Sequence, residues 1–220
     1  MKLTYLGHSA FEIETNNRKI LIDPFLVKAQ GYVPQNISDI FVTHGHGDHL
    51  GSAIEISKKT GAVITAVFEL ANYCASKGAK VNDLALGAWN KYEWGRVVPT
   101  PAFHGNSTPE GVYAGPPCGF VFDIEGKKLY HAGDTSLSAE MKVIGEIYAP
   151  EIALLPIGGK YTMDIEHALI ASEWLNSKTI VPMHYNTFDA INVNINDFTS
   201  GINSLGKTAC VMKVMESFTF

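Results

Sequence analysis

The sequence predicts an α/β fold in which two mixed β-sheets pack face to face with helices outside, a four-layer αββα sandwich. Three observations favour this class: strand-like runs crowd the N-terminal half, helical periodicity follows them, and the same succession recurs in the second half. Hydrophobic residues make up 46% and charged residues 18% of the 220-residue chain, which is typical of a globular protein. No linker-like segment divides the chain, so we expect one domain over residues 1–220.

The first half opens with four short runs rich in branched or aromatic residues: KLTYL, AFEIE, KILID and DIFVTH. We expect these runs to form a β-meander. From Ser52 the period changes to that of a short helix, which ends at Gly61 after the cationic pair Lys58 and Lys59. AVITAV then predicts a strand, and a second helix beyond it ends at Gly78.

The second half repeats this arrangement. Strands are predicted at NKYEW, RVVPTPAF, GFVFDIE and KKLYHAG, followed by a helix near Ser138 to Tyr148 and a strand at IALLPIG. An amphipathic helix spans about Asp164 to Asn176, and TIVPMH closes as a buried strand. Because strands lead and helices follow twice, the topology predicts two similar layers.

Charge, hydropathy and cysteine usage exclude several classes of protein. The net charge of −5 comes without basic clusters, so we expect no nucleic-acid partner. No apolar run approaches the roughly 18 residues that cross a bilayer, and the start lacks the layout of a signal peptide. We therefore expect a cytoplasmic protein without a membrane partner, and the oligomeric state is left open. Cys74, Cys118 and Cys210 are too widely spaced for a disulfide framework or a metal knuckle, and we expect buried or idle thiols.

One nine-residue segment, THGHGDHLG, concentrates metal-binding chemistry. It carries three histidines and one aspartate: His44, His46, Asp48 and His49. Imidazole and carboxylate groups are the ligands that Zn²⁺, Mn²⁺ and Fe²⁺ accept. We expect the intervening Gly45 and Gly47 to provide unusual backbone angles, which a loop needs to aim several side chains at one point. A turn of solvated histidines is the alternative.

Three further donors follow predicted strands downstream. Four ligands from one loop cannot all reach one ion comfortably, so additional ligands are expected elsewhere in the chain. His104 follows RVVPTPAF, Asp134 follows KKLYHA, and His184 ends TIVPMH. Side chains just past strand ends can converge on a common rim. We therefore expect these three residues to complete the metal site.

The order of these donors resembles that of the metallo-β-lactamase fold superfamily: HxHxDH, then a lone His, a lone Asp and a lone His, over nearly the whole chain. The resemblance implies two metal ions with a bridging aspartate: His44, His46 and His104 for the first ion, Asp48, His49 and His184 for the second, and Asp134 between them. It also implies that Asp23, in LIDP, braces the metal loop. The GHSAF opening and the LPIGG…TM…PMHY ending look like small metal-dependent hydrolases related to L-ascorbate 6-phosphate lactonase.

These residues lead to a hypothesis of metal-dependent hydrolysis. Two divalent ions, Zn²⁺ being expected and Mn²⁺ or Fe²⁺ the alternatives, would share a bridging hydroxide that attacks the substrate. Asp48 would orient this nucleophile and carry its proton to the leaving group. Two divalent ions outweigh the charges of Asp48, Asp134 and hydroxide, so we expect a small anionic substrate, a phosphoester, lactone or amide.

Two further residues are predicted near the substrate. His8 follows the first strand and a glycine, which favours a catalytic or substrate-contacting position at the same rim. Lys160 lies in a glycine-flanked loop after IALLP and could pair with the anionic end of the substrate. We expect His131 to be packed or to support the site, and His167 to be structural or exposed.

Two other functions stay open from the sequence. A mononuclear non-haem iron dioxygenase of the same fold would use the same ligand types. A non-catalytic metal-binding protein is the second alternative, although all seven candidate ligands are intact.

Overall fold

The computed structural model describes residues 1–15 and 18–220, which form two compact units. The first unit comprises Met1–Leu86, Gly105–Pro117 and Met212–Phe220, and the second comprises Gly87–His104 and Cys118–Val211. Each unit contains one seven-stranded mixed sheet and its own helices. The predicted α/β class with two mixed sheets is therefore confirmed, whereas the single domain over residues 1–220 stays a prediction.

The sheet of the first unit is half antiparallel and half parallel. Its strands are β1 (Lys2–Gly7), β2 (Ala10–Thr15), β3 (Arg18–Ile22), β4 (Ile37–Phe41), β5 (Val63–Val67), β6 (Lys80–Leu84) and β14 (Ser217–Thr219). In space they run β14-β1-β2-β3-β4-β5-β6, antiparallel as far as β3 and parallel from β3 to β6. Helices α1 (Gly47–Leu50) and α2 (Ala53–Thr60) connect β4 to β5, and α3 (Phe68–Ser76) connects β5 to β6, as is usual between parallel strands.

The sheet of the second unit has the same plan. Its strands are β7 (Asn90–Tyr92), β8 (Gly95–Pro101), β9 (Cys118–Ile124), β10 (Lys127–His131), β11 (Ile152–Pro156), β12 (Thr179–Met183) and β13 (Thr208–Ala209). Pairing is antiparallel from β7 to β10 and parallel from β10 to β13. The helices are α4 (Glu140–Tyr148), α5 (Ile165–Leu175) and α6 (Ile195–Ser204).

Most predicted strands and helices are present, and the exceptions have physical causes. The expected meander covers only β1 to β3, because β4 pairs parallel to β3 after the connection over residues 23–36. Strands β6, β13 and β14 were not predicted, since these short, half-exposed strands carry no apolar run. The sequence does not predict helix α6 because this helix is rich in weak helix formers, although the Asn194 side chain caps it.

Two expectations from composition can be compared with the structure. No helix in the described parts of the chain is long and apolar enough to cross a membrane.

Cys74 and Cys118 are buried, and Cys210 is half-buried. Burial raises the pKa of the Cys74 thiol to about 12, so this thiol stays protonated at neutral pH.

A glycine at the contact between α4 and α5 provides a test of the packing. A Cβ atom on Gly145 would lie 2.3 Å from the carbonyl oxygen of Trp174 and 2.9 Å from Cα of Leu175. We expect Gly145→Ala to lower the free energy of unfolding, because overpacking costs about 1–3 kcal/mol and the gain in helix propensity is only about 1 kcal/mol. Chemical denaturation measures the difference.

Gly201→Ala is the matched control in α6. The three atoms nearest to the added methyl group would all belong to the flexible side chain of Leu169, which can move away. The same change should therefore leave stability unchanged or raised. Equal losses for the two variants would contradict this account of the α4–α5 contact.

Candidate metal centre

The HxHxDH segment follows β4 and folds into a loop with one helical turn. The carbonyl oxygen of His46 accepts hydrogen bonds from the backbone N–H groups of His49 (3.0 Å) and Leu50 (2.8 Å). His44 and His49 are fully buried, whereas His46 and Asp48 are partly exposed. Two of the predicted ligands therefore belong to the interior, and two lie where solvent reaches.

Asp23 connects β3 to this loop through its side chain. It is fully buried, and its carboxylate accepts hydrogen bonds from Thr43 N–H (2.8 Å), the Thr43 hydroxyl (2.7 Å) and Nδ1 of His49 (2.7 Å). Burial of a carboxylate is costly unless such partners satisfy it. Asp23 thus braces the metal loop, which is the role that the family resemblance implies.

The same network decides which ring nitrogen of two histidines carries the proton. Because the Thr43 hydroxyl donates to Asp23, Nδ1 of His44, which lies 3.0 Å from Thr43 Oγ1, is the donor in that contact. His49 likewise donates to Asp23 through Nδ1. In a neutral imidazole the second nitrogen carries the lone pair, so Nε2 is the atom through which either ring would bind a metal ion.

The distance between two further ring nitrogens also fits metal binding. Nε2 of His44 and Nδ1 of His46 are 3.1 Å apart. Two nitrogens bound to one tetrahedral zinc ion at 2.0–2.1 Å would lie about 3.3 Å from each other. His44 and His46 therefore have the spacing of two ligands of the same ion.

His8 contacts the predicted ligands of the first unit. Its Nε2 atom lies 3.1 Å from Oδ2 of Asp48, and its buried ring packs edge-on against Phe25 and His49 at centroid distances of 5.6 and 5.7 Å. One donor atom from each of His8, Asp48 and His49 lies within 4.8 Å of the others. His8 is thus placed to orient the Asp48 carboxylate.

The second unit groups the three predicted ligands that follow its strands. His104 lies beyond the end of β8, Asp134 beyond β10 and His184 directly after β12. Oδ2 of Asp134 is 3.0 Å from Nε2 of His184 and 3.5 Å from Nε2 of His104. The exposed fractions of these side chains are only 13%, 3% and 3% in chain order. A carboxylate oxygen beside two imidazole nitrogens is a suitable donor group for a divalent ion.

Close packing supports these ligands in the second unit. A Cβ atom on Gly158 would lie 2.3 Å from the carbonyl oxygen of His184, so only glycine fits there. His131 is fully buried, and its Nδ1 accepts a hydrogen bond from Gly133 N–H at 3.1 Å, in the turn that leads to Asp134. The packed position predicted for His131 is confirmed, and its support of the site stays a prediction.

Two other sequence-predicted positions lie on the surface of the second unit. Lys160 is exposed on the loop after β11, with Nζ 5.2 Å above the ring of Tyr161. Its contact with a substrate stays a prediction. His167 is exposed and lies 3.4 Å from Asp164, the residue that caps α5, which confirms the structural or exposed position expected for it.

The reason for the glycines in the metal loop differs from the one predicted. Gly45 and Gly47 are not among the described residues with positive φ. Instead, a Cβ atom on Gly45 would lie 3.0 Å from Cβ of Ala114 and 3.2 Å from Oδ1 of Asn106, and Gly47 lies against Pro109. Gly45 is therefore small because the segment over residues 105–117 packs on the loop, whereas a Cβ atom on Gly47 would make only an ordinary contact.

Two polar residues that the sequence does not single out hold the loops of the predicted ligands. Oδ1 of Asn106 accepts a hydrogen bond from Gly45 N–H at 2.7 Å. In the second unit, Oγ1 of Thr135 accepts one from Phe103 N–H at 3.0 Å. A single Asn or Thr in a loop matches no motif, and the available signal was position, since each lies within two residues of a predicted ligand.

Sequence comparison identifies relatives along the full chain. A family described as beta-lactamase superfamily domain matches residues 2–184. A UPF0173 metal-dependent hydrolase of Anoxybacillus flavithermus is 42% identical over 228 residues, which cover 99% of each chain. One of Bacillus cereus (strain ATCC 10987) is 42% identical over 229 residues, covering 99% of this chain and 97% of the relative.

Structural comparison agrees with the sequence relatives. Igni18, a metallo hydrolase from Ignicoccus hospitalis, has a TM-score of 0.91 and 39% sequence identity, with 100% of this chain and 98% of that chain covered. An isothiocyanate hydrolase from Delia radicum gut bacteria has a TM-score of 0.78 at 22% identity, with 100% and 99% covered, and shares the fold alone. These likenesses confirm the predicted metallo-β-lactamase fold.

The Asp23 network predicts the effect of a single isosteric change. We expect Asp23→Asn to weaken zinc binding about 10- to 100-fold, because one amide oxygen cannot accept all the hydrogen bonds that hold Thr43 and His49. Competition with a chromophoric chelator measures the affinity. Asp123→Asn, which removes only the ion pair with Arg96, is the control and should bind zinc like the wild type. Unchanged affinity in Asp23→Asn would show that the carboxylate does not orient the ligands.

Proposed function

Since this chain belongs to the β-lactamase superfamily and is a metal-dependent hydrolase, we propose that it cleaves a small anionic substrate at a centre of two metal ions. The observation that carries the proposal is the set of hydrogen bonds that Asp23 accepts from Thr43 and His49. These bonds place the ring protons of His44 and His49 on Nδ1, so Nε2 would bind the metal in both predicted ligands.

The donor set supports an assignment of ligands to two ions. All seven donors are imidazole nitrogens or carboxylate oxygens, which suits Zn²⁺ and, as alternatives, Mn²⁺ or Fe²⁺. In this proposal His44, His46 and His104 would hold the first ion, Asp48, His49 and His184 would hold the second, and Asp134 would be a ligand of both. The 3.1 Å spacing of His44 and His46 supports their assignment to the same ion.

When bound, two such ions supply a hydroxide nucleophile at neutral pH and polarise the bond to be broken. The residues of the chain control where the proton goes. Asp48 is partly exposed, as a residue that meets both nucleophile and leaving group must be. Its carboxylate would hold the proton of the nucleophile and pass it to the leaving group. His8, 3.1 Å from Oδ2 of Asp48, keeps the carboxylate in one orientation during this transfer.

Charge supports an anionic substrate. Two divalent ions contribute four positive charges, against one negative charge each from Asp48, Asp134 and hydroxide, so the centre is about +1. An exposed ammonium at Lys160 would add a further positive charge on the surface that the substrate approaches. Phosphoesters, lactones and amides with an anionic group all satisfy this requirement.

We also propose a small molecule as the partner and the cytoplasm as the place of action. The net charge of −5 and the scarcity of basic clusters support a small molecule over nucleic acid. The reaction and its substrate class are therefore best found by a screen of small compounds.

Loss of one proposed ligand should remove both an ion and activity. We expect the wild type to bind two ions per chain, and His46→Ala to bind one and to turn over its substrate at least about 100-fold more slowly. Metal analysis by mass spectrometry gives the stoichiometry. A screen of phosphodiesters, lactones, β-lactams, thioesters and N-acyl amides gives the reaction class.

His167→Ala is the control, because this histidine is exposed and remote in sequence from the proposed ligands. It should keep both ions and full turnover. Full turnover in His46→Ala would refute the ligand assignment. Oxygen consumption by iron-loaded protein, without hydrolysis in the screen, would favour the dioxygenase instead.

If the substrate is anionic, substitution of Lys160 should weaken substrate binding. We expect Lys160→Gln to raise KM about 10-fold for the best anionic substrate of the screen and to leave kcat nearly unchanged, because the ammonium binds the substrate away from the reacting bond. Steady-state kinetics at low and high salt measure the difference, which should shrink as salt screens the charge. Lys142→Gln, which removes a lysine that lies over Trp174, should change neither constant. An unchanged KM in Lys160→Gln would exclude this residue from substrate binding.

A further inference from the structure

The side-chain amide of Asn106 makes hydrogen bonds to two segments of the first unit through both its oxygen and its nitrogen. Its Oδ1 atom accepts from Gly45 N–H at 2.7 Å, and its Nδ2 group donates to the carbonyl oxygens of Ala114 (2.8 Å) and Gly115 (2.9 Å). In a flipped amide, the NH₂ group would face the Gly45 N–H donor and the oxygen would face two carbonyl oxygens. The three partners therefore fix the orientation of the amide. The side chain is therefore held firmly.

The loop from Asn106 to Gly115, called the Asn106 loop below, is itself well ordered by hydrogen bonds. Ser107 pairs with Tyr113, and Thr108 N–H donates to the carbonyl oxygen of Val112 at 2.8 Å. The Thr108 hydroxyl accepts from Val112 N–H at 3.2 Å. These hydrogen bonds fix the conformation of the Asn106 loop.

Gly45 is the residue between two of the proposed ligands. Its N–H belongs to the peptide that follows His44, and the next residue is His46. A histidine ring nitrogen lies roughly 3–4.5 Å from its Cα atom, so a peptide rotation of about 10° moves it by about 0.5–0.8 Å, beyond the ~0.2 Å tolerance of a metal–ligand distance. The 3.1 Å distance between Nε2 of His44 and Nδ1 of His46 thus depends on the orientation of the peptide between His44 and Gly45.

We infer that Asn106 is a positioning residue for the metal centre: by holding Gly45 N–H from a firm loop, it sets the distance between the His44 and His46 nitrogens. The steric fit supports this role, because a Cβ atom on Gly45 would lie 3.2 Å from Oδ1 of Asn106 and 3.0 Å from Cβ of Ala114. The inference rests on the proposed function, since it requires that His44 and His46 bind one ion.

The test is metal binding by the full chain with Asn106→Leu, which keeps the size of the side chain and removes its polar atoms. Asn106→Ala is the second variant, because water can enter the half-buried space and replace the lost hydrogen bonds. Zn²⁺ affinity is measured by chelator competition, the ligand geometry by the visible absorption of Co²⁺-loaded protein, and the stability of metal-free protein by its Tm.

We expect both variants to bind one of the two ions about 10- to 100-fold more weakly and to show an altered Co²⁺ absorption. Metal-free Asn106→Ala should keep a Tm close to that of the wild type, which separates positioning from general destabilisation. Glu110→Gln is the control on the same loop: it removes the exposed ion pair with Lys77 and should change none of these measurements.

Wild-type affinity and Co²⁺ absorption in both variants would overturn the role of Asn106 and leave the proposed function standing. A loss of affinity that only follows a lowered metal-free Tm in both variants would also overturn it. If the wild type itself binds no ion, the proposed function fails, and the inference fails with it.

Discussion

The carboxylate of Asp23 is the interaction on which the metal loop of the first unit depends. Asp23 N–H donates to the carbonyl oxygen of Phe41 at the end of β4, so backbone pairing places the residue beside the start of the loop. Its side chain then accepts from Thr43 and His49. An unsatisfied buried donor or acceptor costs about 1–3 kcal/mol, so loss of the carboxylate would penalise several groups at once.

The turn at Asp23 also holds the far end of the loop by direct backbone contact. The carbonyl oxygen of Pro24 accepts from Ser52 N–H at 3.0 Å. Gly51 has φ +46, and a Cβ atom there would lie 2.4 Å from that carbonyl oxygen, so both the conformation and the close approach require glycine. The loop is therefore held at its beginning by a side chain and at its end by the backbone, which keeps the ligands from spreading.

The predicted ligands of the two units are held in place by the same kind of structure. In each, buried strands end in loops that carry imidazole and carboxylate groups, and polar residues near the ligands bond the backbone of these loops. Thr135 and His131 do this in the second unit, and Asp23 and Asn106 do so in the first. Rigid strands that carry functional loops are a common basis for precise sites. The proposed mechanism needs this precision, because metal ligands tolerate little displacement.

Hydrophobic periodicity predicted the class of fold and most of its strands, and ligand chemistry identified the candidate donors that follow these strands. Both are local properties, so residues such as His44 and Asp134 could be identified one segment at a time. The proton positions on His44 and His49, the packing reason for Gly45 and the hydrogen bonds of Asn106 emerged only from the folded chain. Each of these depends on a contact between segments far apart in the chain, which no local pattern records.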